Sequence, residues 1–168
     1  LVHDIGKLTL LFQARIAATG YSPFSEYADL PKPKSFNNTQ KTPHAYAGEA
    51  ILLKNGCPPG LASIVGAHHG KPFSNQTGSF IEELTEDFPA NFYGRGKKYS
   101  EEFQSLWDEW ISFSLEYAEV NSIKDLPDIP TPAQVLIEGL LIMADWIASN
   151  TVYFPLISTD TLPQDYDR

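Results

Sequence analysis

The sequence predicts an all-α fold, a helical bundle with long irregular loops. Apolar residues recur at helical spacing, prolines and glycines punctuate the ends of those segments, and no repeat, heptad run or strand alternation stands out. In residues 4–18, Ile5, Leu8, Leu11, Phe12 and Ile16 form one helical stripe, which Gly20 stops. Residues 21–41 carry Pro23, Pro31 and Pro33 with polar fill and read as a long loop. Thr42 as N-cap and Pro43 at the first helical position open a helix through residue 53, ended by Asn55 and Gly56. Pro58 and Pro59 precede a helix over 61–69, closed by Gly70. After a loop at 71–78, a short helix is expected over about 79–86, then a second loop with the basic run GRGKK at 94–98. Ser100, followed by Glu101 and Glu102, starts an amphipathic helix to about residue 120, with Phe103, Leu106, Trp107, Trp110 and Phe113 as its buried stripe. Thr131 and Pro132 open the last helix, expected to run to near residue 155.

With 168 residues, 42% hydrophobic and 20% charged, the chain has the size and composition of one globular domain. Its one cysteine, Cys57, cannot form an internal disulfide, which fits a reducing cytoplasm; it reads as a small residue at a helix-ending turn rather than a nucleophile. No signal peptide is visible, and the longest apolar stretch, 135–144, is interrupted by Glu138 and Gly139, so no membrane span is expected. A net charge of −9 repels phosphate backbones and argues against broad, autonomous nucleic-acid binding. It leaves room for a nuclease whose substrate another domain delivers. The chain opens two residues before its first histidine motif without an initiator methionine, so a leading helix is expected to be missing.

All four histidines fall inside motifs: His3 in LVHDIGK, His44 in TPHAYAGEA, and His68 with His69 in VGAHHGK. Neutral imidazole is the commonest side-chain ligand for transition metals, and carboxylate oxygen completes such sites. His3 and Asp4 are adjacent at a helix start, and the two oxygens of Asp4 can bridge two cations. Lys7, one helical turn on, can meet a phosphate oxygen without competing for metal. His44 sits in the first turn of its helix. His68 and His69 point about 100° apart on a helix and reach one metal only at a fraying end, which Gly70 supplies. Asp145 lies in LLIMADWIASN, apolar enough to be the central core helix, where a carboxylate is costly unless paired or bound to metal. Ser149, four residues later, shares its face and either contacts phosphate or bonds back to the helix. A two-cation site would bind phosphodiester oxygens, activate water and stabilise the leaving oxygen, with metals typically about 3.5–4 Å apart. Trp107 and Trp110 can stack bases, although their helical spacing points to core packing.

His3, Asp4 and a later aspartate mark the HD metal-dependent phosphohydrolase superfamily. Within it, HDIGKLTLLFQ, TPHAYAGEAIL, GAHHG and ADWIAS together resemble the HD nuclease domain of the CRISPR-associated helicase-nuclease of type I systems, over residue 3 to about 155. The resemblance implies an HD-domain helical bundle over 1–155, with 156–168 as a connector toward a helicase. It implies a single-stranded DNA nuclease of antiviral defence holding two divalent transition metals, with Mn, Fe, Co or Ni favoured over Mg by the imidazole-rich ligand set. His3, Asp4 and Asp145 would hold one metal, and Asp4, His44, His68 and His69 the other, with Lys7 and Ser149 beside the scissile phosphate. In the family a histidine on a preceding helix also ligates the first metal, and no residue here matches it. Implied partners are a superfamily-2 helicase, in cis or in trans, and the CRISPR surveillance complex. The chain carries no GxxxxGK[ST] loop of its own. HDIGK is also similar to HD-GYP cyclic dinucleotide phosphodiesterases, but the segment after His69 lacks their signature. A single-metal nucleotide phosphohydrolase and a catalytically silent docking module complete the alternatives.

Overall fold

A computed structural model describes residues 2–19, 30–73 and 80–155. Among them there is no strand. The helices are α1 (Leu10–Ala17), α2 (His44–Lys54), α3 (Pro59–Ala67), α4 (Leu84–Asp87), α5 (Pro89–Phe92), α6 (Lys97–Tyr117) and α7 (Thr131–Ala148), joined by short 3-10 turns. The all-α expectation holds. The connector expected at 156–168 lies outside the described residues, as do residues 20–29 and 74–79, which take in part of the loops expected at 21–41 and 71–78.

α2 forms the centre. Its Ala47, Ala50, Ile51 and Leu52 are buried, and it packs on α3, on the 3-10 turn Ile5–Lys7 and on the α4 region. Ile5, Leu10, Leu11, Phe92, Phe103 and Trp107 complete the core around it, each large side chain contributing roughly 1.5–3 kcal/mol by leaving water. Alanines along α2 let neighbouring backbones come close, which suits a helix that must bring three other segments to one point.

Several boundaries differ from expectation for reasons of tertiary contact. The helix expected over 4–18 is split: Ile5–Lys7 is a 3-10 turn, Thr9 is extended, and α1 starts at Leu10. The Thr9 hydroxyl donates to the Gly6 carbonyl at 3.0 Å, a local bond that competes with helix continuation. Thr42 is not the cap of α2. Pro43 takes that position, while the Thr42 hydroxyl accepts from the Asn91 amide at 2.9 Å and ties the helix start to α5. The segment expected as one short helix is a 3-10 turn, Ile81–Glu83, running into α4 and then α5. α6 begins at Lys97, after extended Gly96, rather than at Ser100. Its stripe is narrower than expected: Phe103, Trp107 and Ile111 are buried, whereas Trp110 and Phe113 are exposed.

The largest correction concerns α7. It ends at Ala148 and is not the central core helix; no residue of it is buried, and Leu136 and Trp146 are 71% and 72% exposed. It lies along α3, stitched by polar bonds: Gly60 N–H donates to Asp128 Oδ1 at 2.8 Å, and Ser63 Oγ to Gln134 Oε1 at 3.0 Å. Between α3, α6 and α7 runs an apolar hollow of about 330 Å³, lined among others by Leu61, Ile64, Ile111, Leu115 and Leu141, with His3 at its edge. By length and composition α7 would suffice to cross a membrane, which the stretch at 135–144 alone did not suggest. It carries Glu138 and Asp145, and Asp145 turns inward toward His3, so α7 is read as a surface helix of the bundle. Cys57 is buried and unpaired. Burial, with Asp128 nearby, pushes its thiol up to about 11, which leaves it inert as a nucleophile.

Candidate metal centre

Four segments converge. His3 and Asp4 lead into the turn Ile5–Lys7, and Gly6 lets that turn lie against α2: a Cβ there would sit 1.8 Å from the His44 carbonyl oxygen. His44 is the first residue of α2. α3 stops at Ala67, His68 caps it, and Gly70 turns the chain away at φ +76°. That helix end lets two adjacent histidines face one point. From the far end of the sequence, α7 contributes Asp145.

Two groups of ligand atoms result, His44 with His68 and His69, and His3 with Asp4 and Asp145, the atoms in each lying within 4.8 Å of one another. Asp4 stands between them. Its Oδ2 is 3.3 Å from His3 Nε2, while its Oδ1 is 3.6 Å from His44 Nε2 and 3.8 Å from His68 Nε2. His3 Nε2 is 3.6 Å from Asp145 Oδ1. The structure thus brings His3, Asp4, His44, His68, His69 and Asp145 together. Lys7 joins them through Asp4, with Nζ 2.6 Å from Oδ2. Ser149, the C-cap of α7, is exposed, and its amide donates to the Asp145 carbonyl.

The electrostatics suit cations. Burial pushes the Asp4 carboxyl up, but the hydrogen bond and charge of Lys7, helped by His3 and His44, outweigh it and hold the group below its ordinary value. Burial, then His69 and His68, push the His44 imidazole down to about 4, so it is neutral at pH 7. His68 Nδ1 lies 2.6 Å from the Val65 carbonyl. A carbonyl only accepts, so Nδ1 carries the proton and the Nε2 lone pair points into the cluster. His69 Nε2 and His44 Nε2 approach to 2.8 Å. The decisive observation for a metal is that His3 Nε2 and His68 Nε2 are buried without a hydrogen-bond partner. Each such atom costs about 1–3 kcal/mol unless something satisfies it, and an imidazole–carboxylate set is suited to a divalent transition ion.

A family model described as "Cas3, HD domain" matches residues 1–154. The chain belongs to the Cas3 HD-domain family. It is 35% identical over 178 aligned residues to a protein named "CRISPR-associated nuclease/helicase Cas3" from Streptococcus thermophilus. That alignment covers 95% of this chain and 18% of the relative, so the chain spans less than a fifth of that protein's length. No solved structure matches it at a significant level. Within this Cas3 HD domain, three residues near the centre were not singled out from sequence for what they do. Trp107 donates its indole N–H to the Leu8 carbonyl at 2.5 Å and braces the turn that carries Asp4. Phe12 packs edge-on against His44, ring centres 5.4 Å apart. Glu49 is buried in α2, and a Cβ on Gly66 of α3 would strike its carboxylate. Trp107 and Phe12 were legible only as stripe residues of their helices, and Glu49 only as a carboxylate inside the apolar run AGEAILL.

Proposed function

We propose that residues 1–155 form a metal-dependent nuclease domain that hydrolyses phosphodiester bonds of single-stranded DNA at a two-metal centre, in CRISPR antiviral defence. The observation that carries this reading is the division of Asp4, one oxygen toward His3 and the other toward His44 and His68. In this assignment His3, Asp4 and Asp145 hold one cation and Asp4, His44, His68 and His69 the other, with Mn, Fe, Co or Ni preferred to Mg. When bound, the cations supply the positive charge that engages phosphodiester oxygens, acidifies water and stabilises the leaving oxygen.

The chain's own groups do the rest. Asp4 fixes the spacing of the two positions, and Trp107 and Gly6 fix Asp4. His68 is held in one tautomer by Val65, so its lone pair is aimed before anything binds. Lys7 leaves Asp4 for a phosphate oxygen of the strand, and Ser149 donates to another. The name of the Streptococcus relative, a nuclease/helicase, supports the nuclease reading. The net charge of −9 supports delivery of the strand by a partner, a superfamily-2 helicase reached through the 156–168 tail or acting in trans, recruited by a CRISPR surveillance complex.

The test is metal analysis combined with cleavage assays on single-stranded DNA and on a cyclic dinucleotide. Two equivalents of metal per chain with cleavage of DNA alone are expected, and Asp4→Ala should abolish both binding and cleavage. Cleavage of only the cyclic dinucleotide would transfer the assignment to the cyclic dinucleotide phosphodiesterases. Absence of both metal and activity would leave a docking module.

A further inference from the structure

We propose that Trp110 and the hollow at its foot form a nucleobase-stacking subsite for the strand held at the metal centre, a role that rests on the nuclease reading above. The hollow, about 170 Å³, is lined by Asp4, Ile5, Lys7, Leu8 and Trp110. The lining therefore joins the carboxylate between the two ligand groups and its lysine to an exposed indole.

α6 presents two indoles to the turn that carries Asp4, and they differ. Trp107 is 1% exposed and gives its N–H to the Leu8 carbonyl. It is a strut. Trp110, most of a turn further along, is 39% exposed and lines the hollow. Phe113 lies against it with ring centres 5.8 Å apart at 37°. Ile5 and Leu8 make part of the lining apolar, which suits the face of a base. In the nuclease reading Asp4 and Lys7 serve the cations and the phosphate, which leaves the indole face as the base-binding element, and stacking on it is open to any base.

Away from the cations, charge works against the strand: the chain is net −9, and Lys7 must give up Asp4 before it can meet a phosphate. Stacking on an aromatic side chain is indifferent to that repulsion and strengthens binding by roughly five-fold to a hundred-fold per base. An unpaired base is free to turn its face to the indole, whereas a paired base is already stacked in its duplex. The subsite therefore also selects single strands.

Two measurements test it. In the first, a thymidine oligonucleotide carrying one 5-iododeoxyuridine is irradiated with the manganese-loaded chain, and the cross-linked peptide is sequenced. The expected attachment is at Trp110. In the second, cleavage is compared for oligothymidylates in which a single abasic residue is moved along the strand. Wild-type protein should lose about ten-fold in kcat/KM, mostly through KM, when the abasic residue falls next to the cut. Trp110→Ala should start from that lower value and ignore the abasic residue, and Trp110→Phe should recover most of the loss. Equal losses on intact and abasic strands would make Trp110 structural and overturn the proposal, as would cross-links confined to other residues. A Trp110 cross-link without any cleavage would remove the nuclease reading and leave a strand-binding site. Cleavage indifferent to both changes would keep the nuclease and remove the subsite, and absence of binding altogether would remove both.

Discussion

Lys7 Nζ lies 2.6 Å from Asp4 Oδ2, the same oxygen that faces His3. The ammonium stands where a cation's charge would act, and it competes with any metal for that oxygen. Lys7→Met is therefore expected to tighten metal binding several-fold, read by titration calorimetry, while lowering kcat on single-stranded DNA. Weaker metal binding in this variant would mean that Lys7 supports the centre rather than competing for it.

Asp4 contacts both ligand groups, whereas His69 and Asp145 each belong to one. Plasma mass spectrometry of purified variants should then give a graded result. His69→Ala and Asp145→Ala should each retain about one equivalent of metal, and Asp4→Ala close to none. Two equivalents in the Asp4 variant would end its bridging role.

The approach of the Ile5–Lys7 turn to α2 tolerates no side chain at Gly6, because a Cβ there would fall 1.8 Å from the His44 carbonyl oxygen. Gly6→Ala must push the turn off the helix that bears His44. A loss of about 1–3 kcal/mol, a fall in Tm of roughly 3–10 °C, and weakened metal binding should appear together. A variant with unchanged Tm and metal content would contradict this close packing.

Burial, and then the charge of Glu82, raise the Glu49 carboxyl to about 7 from an ordinary value of 4.5. The folded chain thus keeps a proton that the unfolded chain releases. The stabilising contribution is full below about pH 4.5 and is lost as pH rises to about 7. Glu49→Gln keeps the shape against Gly66 and removes the titration. It should raise stability at pH 8 by on the order of 2–3 kcal/mol and flatten the pH dependence of chemical denaturation between those limits. An unchanged slope would show that Glu49 is ionised in the folded state.

The centre was legible in the sequence because its residues are expensive anywhere else. Four histidines gathered into three short motifs, with Asp4 after His3 and Gly70 after His69, have no common explanation in packing, and a carboxylate in ADWIAS needs a partner. Apolarity misled at α7: it measures a tendency to be buried, and says nothing of whether a neighbour is there to do the burying. The break at Leu8 and Thr9 was illegible because the turn before it is seated against α2 through Gly6, a contact between residues distant in sequence, to which the local Thr9–Gly6 bond only adds. The contrast between Trp107 and Trp110 depends on how α6 is rotated over the Asp4 turn, a phase that periodicity alone leaves open within one turn.

α7 has no buried residue, yet it supplies Asp145 at 3.6 Å from His3. Loading the centre would clasp a loosely seated outer helix to the rigid interior, so that catalysis and architecture share one fastener. Chelation should then loosen α7 first, seen as faster amide exchange along that helix while α2 stays protected.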